Sequence, residues 1–226
     1  MKVLLIGEEI RRIELSNCLP KDVEITQADL AFEIPAQDYE KYDIVFDLNA
    51  DEDPTLIDEL FPFESNTKLI VSAVKTQLAT LGGDAGEEIS LFGMNCLPTF
   101  MERPLKEVSV FNDADVPALR SLMESLGWDY QLVNDRVGMV TPRVIFMIIN
   151  EACYTVQEGT ASMEDIDKSM KLGTAYPYGP FEWADKIGIK DVYETLEAIY
   201  ADTGDERYKI CPLLKTYYLK DQSFLS

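Results

Sequence analysis

The stretch from Glu158 to Asp185, EGTASMEDIDKSMKLGTAYPYGPFEWAD, constrains the fold most, because its helix starts and stops are spelled out residue by residue. A helix ends at Gly159. Ser162 opens the next, with Asp165 placed as a short capping box requires. Lys171 and Gly173 supply a cationic last turn and a C′ glycine. The run Tyr176-Pro177-Tyr178-Gly179-Pro180 predicts a turn, and Phe181-Glu182-Trp183 begins another helix. Such a segment belongs to a compact helical unit.

The residues before it follow a different rhythm. Apolar runs at Lys2 to Ile6, Val23 to Thr26, Asp43 to Leu48, Lys68 to Val71, Ser90 to Met94 and Glu107 to Val110 have strand length. Pro54 to Leu60 reads as a short helix capped by Asp53. Buried strands alternating with helices imply a mainly parallel sheet. Asp115 to Gly127 is an amphipathic helix, with Val116, Leu119, Leu122, Met123 and Leu126 on one face. Tyr130 to Val133 is a further strand. Beyond Asn134-Asp135-Arg136 the pattern is helical throughout. Thr141 caps a long helix with Pro142 in its first turn, running to about Gln157 and striped by Ile145, Ile148, Ile149, Ala152 and Val156. Later helices cover Met163–Lys171, Phe181–Ile187 and Lys190–Tyr200. The expected class is therefore α/β: a shortened Rossmann-like domain over residues 1–136, then an all-helical domain over 137–226.

Composition removes several functions. A net charge of −21 and a pI near 4.2 argue against nucleic acid, whose phosphates need clustered Lys and Arg. Histidine is absent, which removes the commonest general base and zinc ligand. Cys18, Cys96, Cys153 and Cys211 are widely spaced thiols without a C-x-x-C pair, so no metal site is expected. No apolar run approaches membrane-spanning length, and Val3-Leu4-Leu5-Ile6 is too short for a signal peptide. A cytoplasmic protein is expected.

The Glu158–Asp185 segment resembles the C-terminal helical domain of the 3-hydroxyacyl-CoA dehydrogenase family, whose members carry an EDIDKAMKLG-like helix and a P-x-GPFE turn. Asn134-Asp135-Arg136-Val137-Gly138 is similar to the family's NDRPGF junction, and Asn150-Glu151-Ala152 to its NEA segment. Leu91-Phe92-Gly93-Met94-Asn95 resembles its xIGMHFFNP strand. The resemblance implies a Rossmann-type domain followed by a helical domain that forms a homodimer interface. It also implies NAD as cofactor, an acyl-CoA ligand and a place in fatty acid metabolism.

At the positions that carry the family's chemistry this chain differs. The catalytic histidine is represented by Asn95, an amide that cannot act as a base. Glu107 stands where a glutamate orients that histidine. The family asparagine of the GFIVNR segment aligns with Pro142, and only Ser72 survives from the SNTSS substrate turn. Gly7 opens the place of the dinucleotide fingerprint, but Glu8-Glu9 follow it and the second and third glycines are missing. Asp29 is a candidate for the ribose-binding acid, the other reading being a surface loop. The span from Thr26 to Asp43 leaves no room for the family's coenzyme A arm, and its glycine-rich aromatic ending is missing.

The expectation is a pseudoenzyme: a family homologue that has lost NAD-dependent catalysis, binds no cofactor, and serves as a binding or regulatory homodimer. It keeps an acyl-CoA-like or other small molecule as a ligand. One alternative is an active NAD-dependent dehydrogenase using Glu107 as its base. The other is a small-molecule sensor using the crevice at the carboxyl ends of the strands.

Overall fold

A computed structural model describes residues 1–53, 67–82 and 90–225. The helix expected at Pro54 to Leu60 lies outside the described residues. The chain divides into two compact units, Met1–Met139 and Val140–Ser226.

The first unit is built on a seven-stranded sheet. Its strands are β1 (Lys2–Ile6), β2 (Glu24–Ala28), β3 (Ile44–Asp47), β4 (Lys68–Ser72), β5 (Leu91–Met94), β6 (Leu105–Val110) and β7 (Asp129–Leu132). Their spatial order is β2-β1-β3-β4-β5-β6-β7. The pairs from β2 to β5 are parallel, β5 and β6 are antiparallel, and β6 and β7 are again parallel. The apolar runs are continuous because the central strands are buried on both faces. Val3, Leu5, Phe46, Ile70 and Phe92 enter one core, together with Leu119, Leu122, Met123 and Leu126. Those four lie on α3 (Val116–Leu126), which Gly127 ends in the left-handed region at φ 68°. Among the described residues two other α-helices belong here: α1 (Glu9–Cys18), between β1 and β2, and the short α2 (Leu78–Leu81) after β4.

The second unit is helical: α4 (Thr141–Gln157), α5 (Met163–Thr174), α6 (Pro180–Ile187), α7 (Ile189–Thr203) and α8 (Pro212–Leu219). Three details differ from the sequence reading. Thr141 is the first helical residue of α4, with Val140 at the cap position. Gly173 does not end α5: the helix continues to Thr174, whose hydroxyl donates to the Met170 carbonyl (2.6 Å), and Ala175 takes the left-handed turn at φ 58°. The helix α8, with Pro212 in its first turn, was not expected. The capping of α5 by Ser162 is as expected, its hydroxyl oxygen accepting the Asp165 N–H at 3.2 Å.

Candidate functional site

β1 pairs with β2 on one side and β3 on the other. The chain leaves β1 through α1 toward β2, then returns to the opposite side. The strand order thus reverses between β1 and β3, and the carboxyl ends of those strands frame the crevice where open α/β sheets place ligands.

Polar side chains at these strand ends bond to the chain itself. Gly7 follows β1 at φ 135°, a conformation that favours glycine. A Cβ added there would lie 2.7 Å from Asn49 Oδ1. That oxygen accepts the Glu8 N–H at 3.2 Å. Arg11, fully buried on α1, donates to the Leu48 carbonyl (2.6 Å) and to Glu52 Oε1 (3.1 Å). Lys75 also binds Glu52. Asp51 accepts the N–H groups of Val74 (2.8 Å) and Lys75 (2.9 Å), which ties the end of β4 to the turn after β3. Arg12, at the place of the third fingerprint glycine, forms an ion pair with Asp29. The acid considered for ribose binding is thereby engaged by the chain itself.

Asp47 closes β3 and is 5% exposed. Burial pushes its carboxyl up to about 6, against the hydrogen bond from Asn49 N–H, and Asp51 adds to the rise.

The positions expected from the sequence to hold the chemistry lie on neighbouring strands of the first unit, except for Pro142. Asn95 follows β5 and is 6% exposed. Its N–H donates to the Glu107 carbonyl (3.2 Å), and its side-chain oxygen accepts the Leu97 N–H (3.3 Å). Glu107 is half-buried on β6. Ser72 ends β4 in register with Met94, and its fully buried hydroxyl faces the Cys96 thiol, which burial pushes far up. Pro142 is buried in the first turn of α4, in the second unit. Sequence reasoning missed Arg11, Asn49, Asp51, Glu52 and Lys75. The available signal was the acidic run Asn49-Ala50-Asp51-Glu52-Asp53 directly behind a strand buried on both faces. Among the described residues no group of three or more His, Cys, Asp or Glu is placed to hold a metal ion. Among them, too, no helix is long and apolar enough to cross a membrane.

A Rossmann-type sheet followed by a compact helical unit defines a class of proteins, and the comparisons narrow it. Residues 138–223 match the family model described as 3-hydroxyacyl-CoA dehydrogenase, C-terminal domain. A probable 3-hydroxybutyryl-CoA dehydrogenase of Bacillus subtilis (strain 168) is 34% identical over 142 residues, covering 63% of this chain and 50% of the relative. The 3-hydroxyadipyl-CoA dehydrogenase of Escherichia coli (strain K12) is 40% identical over 94 residues, covering 42% of this chain and 20% of the relative. The crystal structure of an (S)-3-hydroxybutyryl-CoA dehydrogenase from Ralstonia eutropha superposes with a TM-score of 0.75 at 20% identity, covering 97% of this chain and 94% of the other, which shows a shared fold. Residues 138–223 thus carry the C-terminal domain of the 3-hydroxyacyl-CoA dehydrogenase family. The chain spans about half the length of the B. subtilis relative and one-fifth of the E. coli one.

Proposed function

We propose that the chain keeps this family's scaffold without its NAD-dependent chemistry and acts as a binding or regulatory homologue. One observation carries the reading. At the strand-end position of the family's base stands Asn95, an amide already bonded to Leu97 N–H, in a chain whose sequence holds no histidine. The Gly7-Glu8-Glu9 turn supports it: two exposed carboxylates stand where a pyrophosphate would approach, so binding is opposed by like charge. No bound cofactor enters this reading. The ligand class that fits the family is an acyl-CoA-like or other small molecule.

The rival reading, an active dehydrogenase, draws on the relatives' names and makes Glu107 the base. A spectrophotometric assay of 3-hydroxybutyryl-CoA oxidation by NAD separates the two. A positioned base is worth ~10²–10⁴-fold in rate. Our reading expects no turnover above background. Robust turnover that vanishes in Glu107→Gln overturns it in favour of the rival.

The regulatory homologue is a homodimer joined through its C-terminal helices. On α4, Val144 is 55% exposed, and with Met147 and Ile148 it lines a groove that also contains Arg143, Glu151, Arg207 and Tyr208. A groove carrying an apolar floor and both charge signs suits an isologous contact, in which each copy offers the same patch. Light scattering at micromolar concentration is expected to give twice the chain mass of 25.6 kDa; the single-chain mass refutes the dimer.

A further inference from the structure

The first turn of a helix carries unpaired N–H groups, and in dinucleotide-binding sheets a phosphate accepts them. Here α1 begins directly behind the strand-order reversal, and the N–H of its cap residue Glu8 already has an acceptor, the side-chain oxygen of Asn49. The fit is close, since even a methyl group at Gly7 would collide with that oxygen. Asn49 is seated in turn by Asp47: its N–H donates to Asp47 Oδ1 at 3.0 Å, and the Ala50 N–H donates to the same carboxyl group. Among the described residues, the groups that face Asp47 are Arg11 from α1, Asp51 from the turn after β3, and the buried Cys96 thiol beyond β5.

We propose that Asp47 and Asn49 form a proton-sensitive internal latch. The Asp47 carboxylate seats Asn49 so that its amide oxygen takes the place of an external anion on the β1–α1 turn, and protonation of Asp47 loosens that seat. The inference rests on the cofactor-free reading of this crevice given above. Its chemistry is simple. Hydrogen bonds to an ionised acceptor are roughly twice as strong as neutral ones, so a neutral Asp47 holds the Asn49 and Ala50 N–H groups less firmly. Burial raises the Asp47 carboxyl to about 6, so the change falls within mild acidification. An aspartate kept at a buried position, where its charge is costly, is the kind of residue found at working sites.

Amide NMR of the full chain between about pH 8 and pH 5 tests the latch. The Glu8 and Asn49 amide signals are expected to move together with one midpoint near 6. Below it, the hydrogen-exchange protection of Glu8 is expected to fall severalfold. In Asp47→Asn that midpoint disappears. In Asn49→Ala, which alters a half-buried side chain and keeps the test available if Asp47→Asn does not fold, Glu8 loses protection at every pH while the Asp47 carboxyl still titrates. A Glu8 amide that stays unchanged while Asp47 titrates, or one equally protected in Asn49→Ala, overturns the proposal. Failure of the cofactor-free reading shows separately, as NADH binding by the wild type at neutral pH.

Discussion

At neutral pH the buried Asp47 carboxylate is held at a cost to the fold. Its carboxyl is raised from 3.8 to about 6 by burial, so the folded state binds this proton more tightly than the unfolded chain. The associated stability is fully present below the unfolded value and is lost as pH rises through about 6. A shift of this size corresponds to about 3 kcal/mol across the whole range, of which ~1 kcal/mol is regained between pH 7 and pH 5. Urea unfolding of wild type and Asp47→Asn at those two pH values isolates this contribution, because the other carboxylates are common to both proteins. The stability gap between them is expected to move by ~1 kcal/mol in favour of the wild type on acidification. A gap that does not change with pH contradicts the raised carboxyl. At this scale the sequence was only half legible. Asn95, Glu107 and Ser72 stood out because they fall within motifs whose order along the chain is recognisable. Asn49 did not, because its partner Glu8 is 41 residues away and the two meet only when β3 pairs with β1.

Among the elements, strands were read best, since a strand buried on both faces must be apolar at every position. Helix ends were read less well. Gly173 looked like the stop of α5, yet the helix tolerates a glycine, and the left-handed residue is Ala175. Gly179 at the start of α6 is explained by a side chain from α5. Asp167 accepts the N–H groups of Phe181 (2.8 Å) and Glu182 (2.9 Å), capping α6 from outside its own sequence. The Asp167 carboxyl lies so near Gly179 that an added Cβ would sit 2.2 Å from its Cγ. Gly179 has an ordinary φ of −71°, so it is needed for space and not for its backbone angle. Asp135 acts in the same way on α2, accepting N–H from Leu78 (2.8 Å) and Ala79 (3.1 Å). Both aspartates lie inside segments that resemble family motifs, and only the folded chain shows that their work there is capping. The antiparallel pairing of β6 escaped the sequence because strand direction depends on the path between strands, and residue pattern does not record it.

For the whole molecule, architecture and activity have to be argued separately. The α/β sheet unit and the helical unit are plain from pattern and structural likeness, and residues 138–223 match the C-terminal domain of the 3-hydroxyacyl-CoA dehydrogenase family. Fold alone does not establish activity, which depends on particular side chains in a site. In the β1–β3 crevice those side chains bond to one another. Arg12 is paired with Asp29, Asn49 with the Glu8 N–H, and Arg11 and Lys75 with Glu52. A dinucleotide at this turn would meet the carboxylates of Glu8 and Glu9, in a chain of net charge −21. The most direct test is calorimetric titration of the purified full chain with NADH at neutral pH. No measurable binding at micromolar ligand is expected. A micromolar dissociation constant, ~8 kcal/mol of binding free energy, contradicts the account.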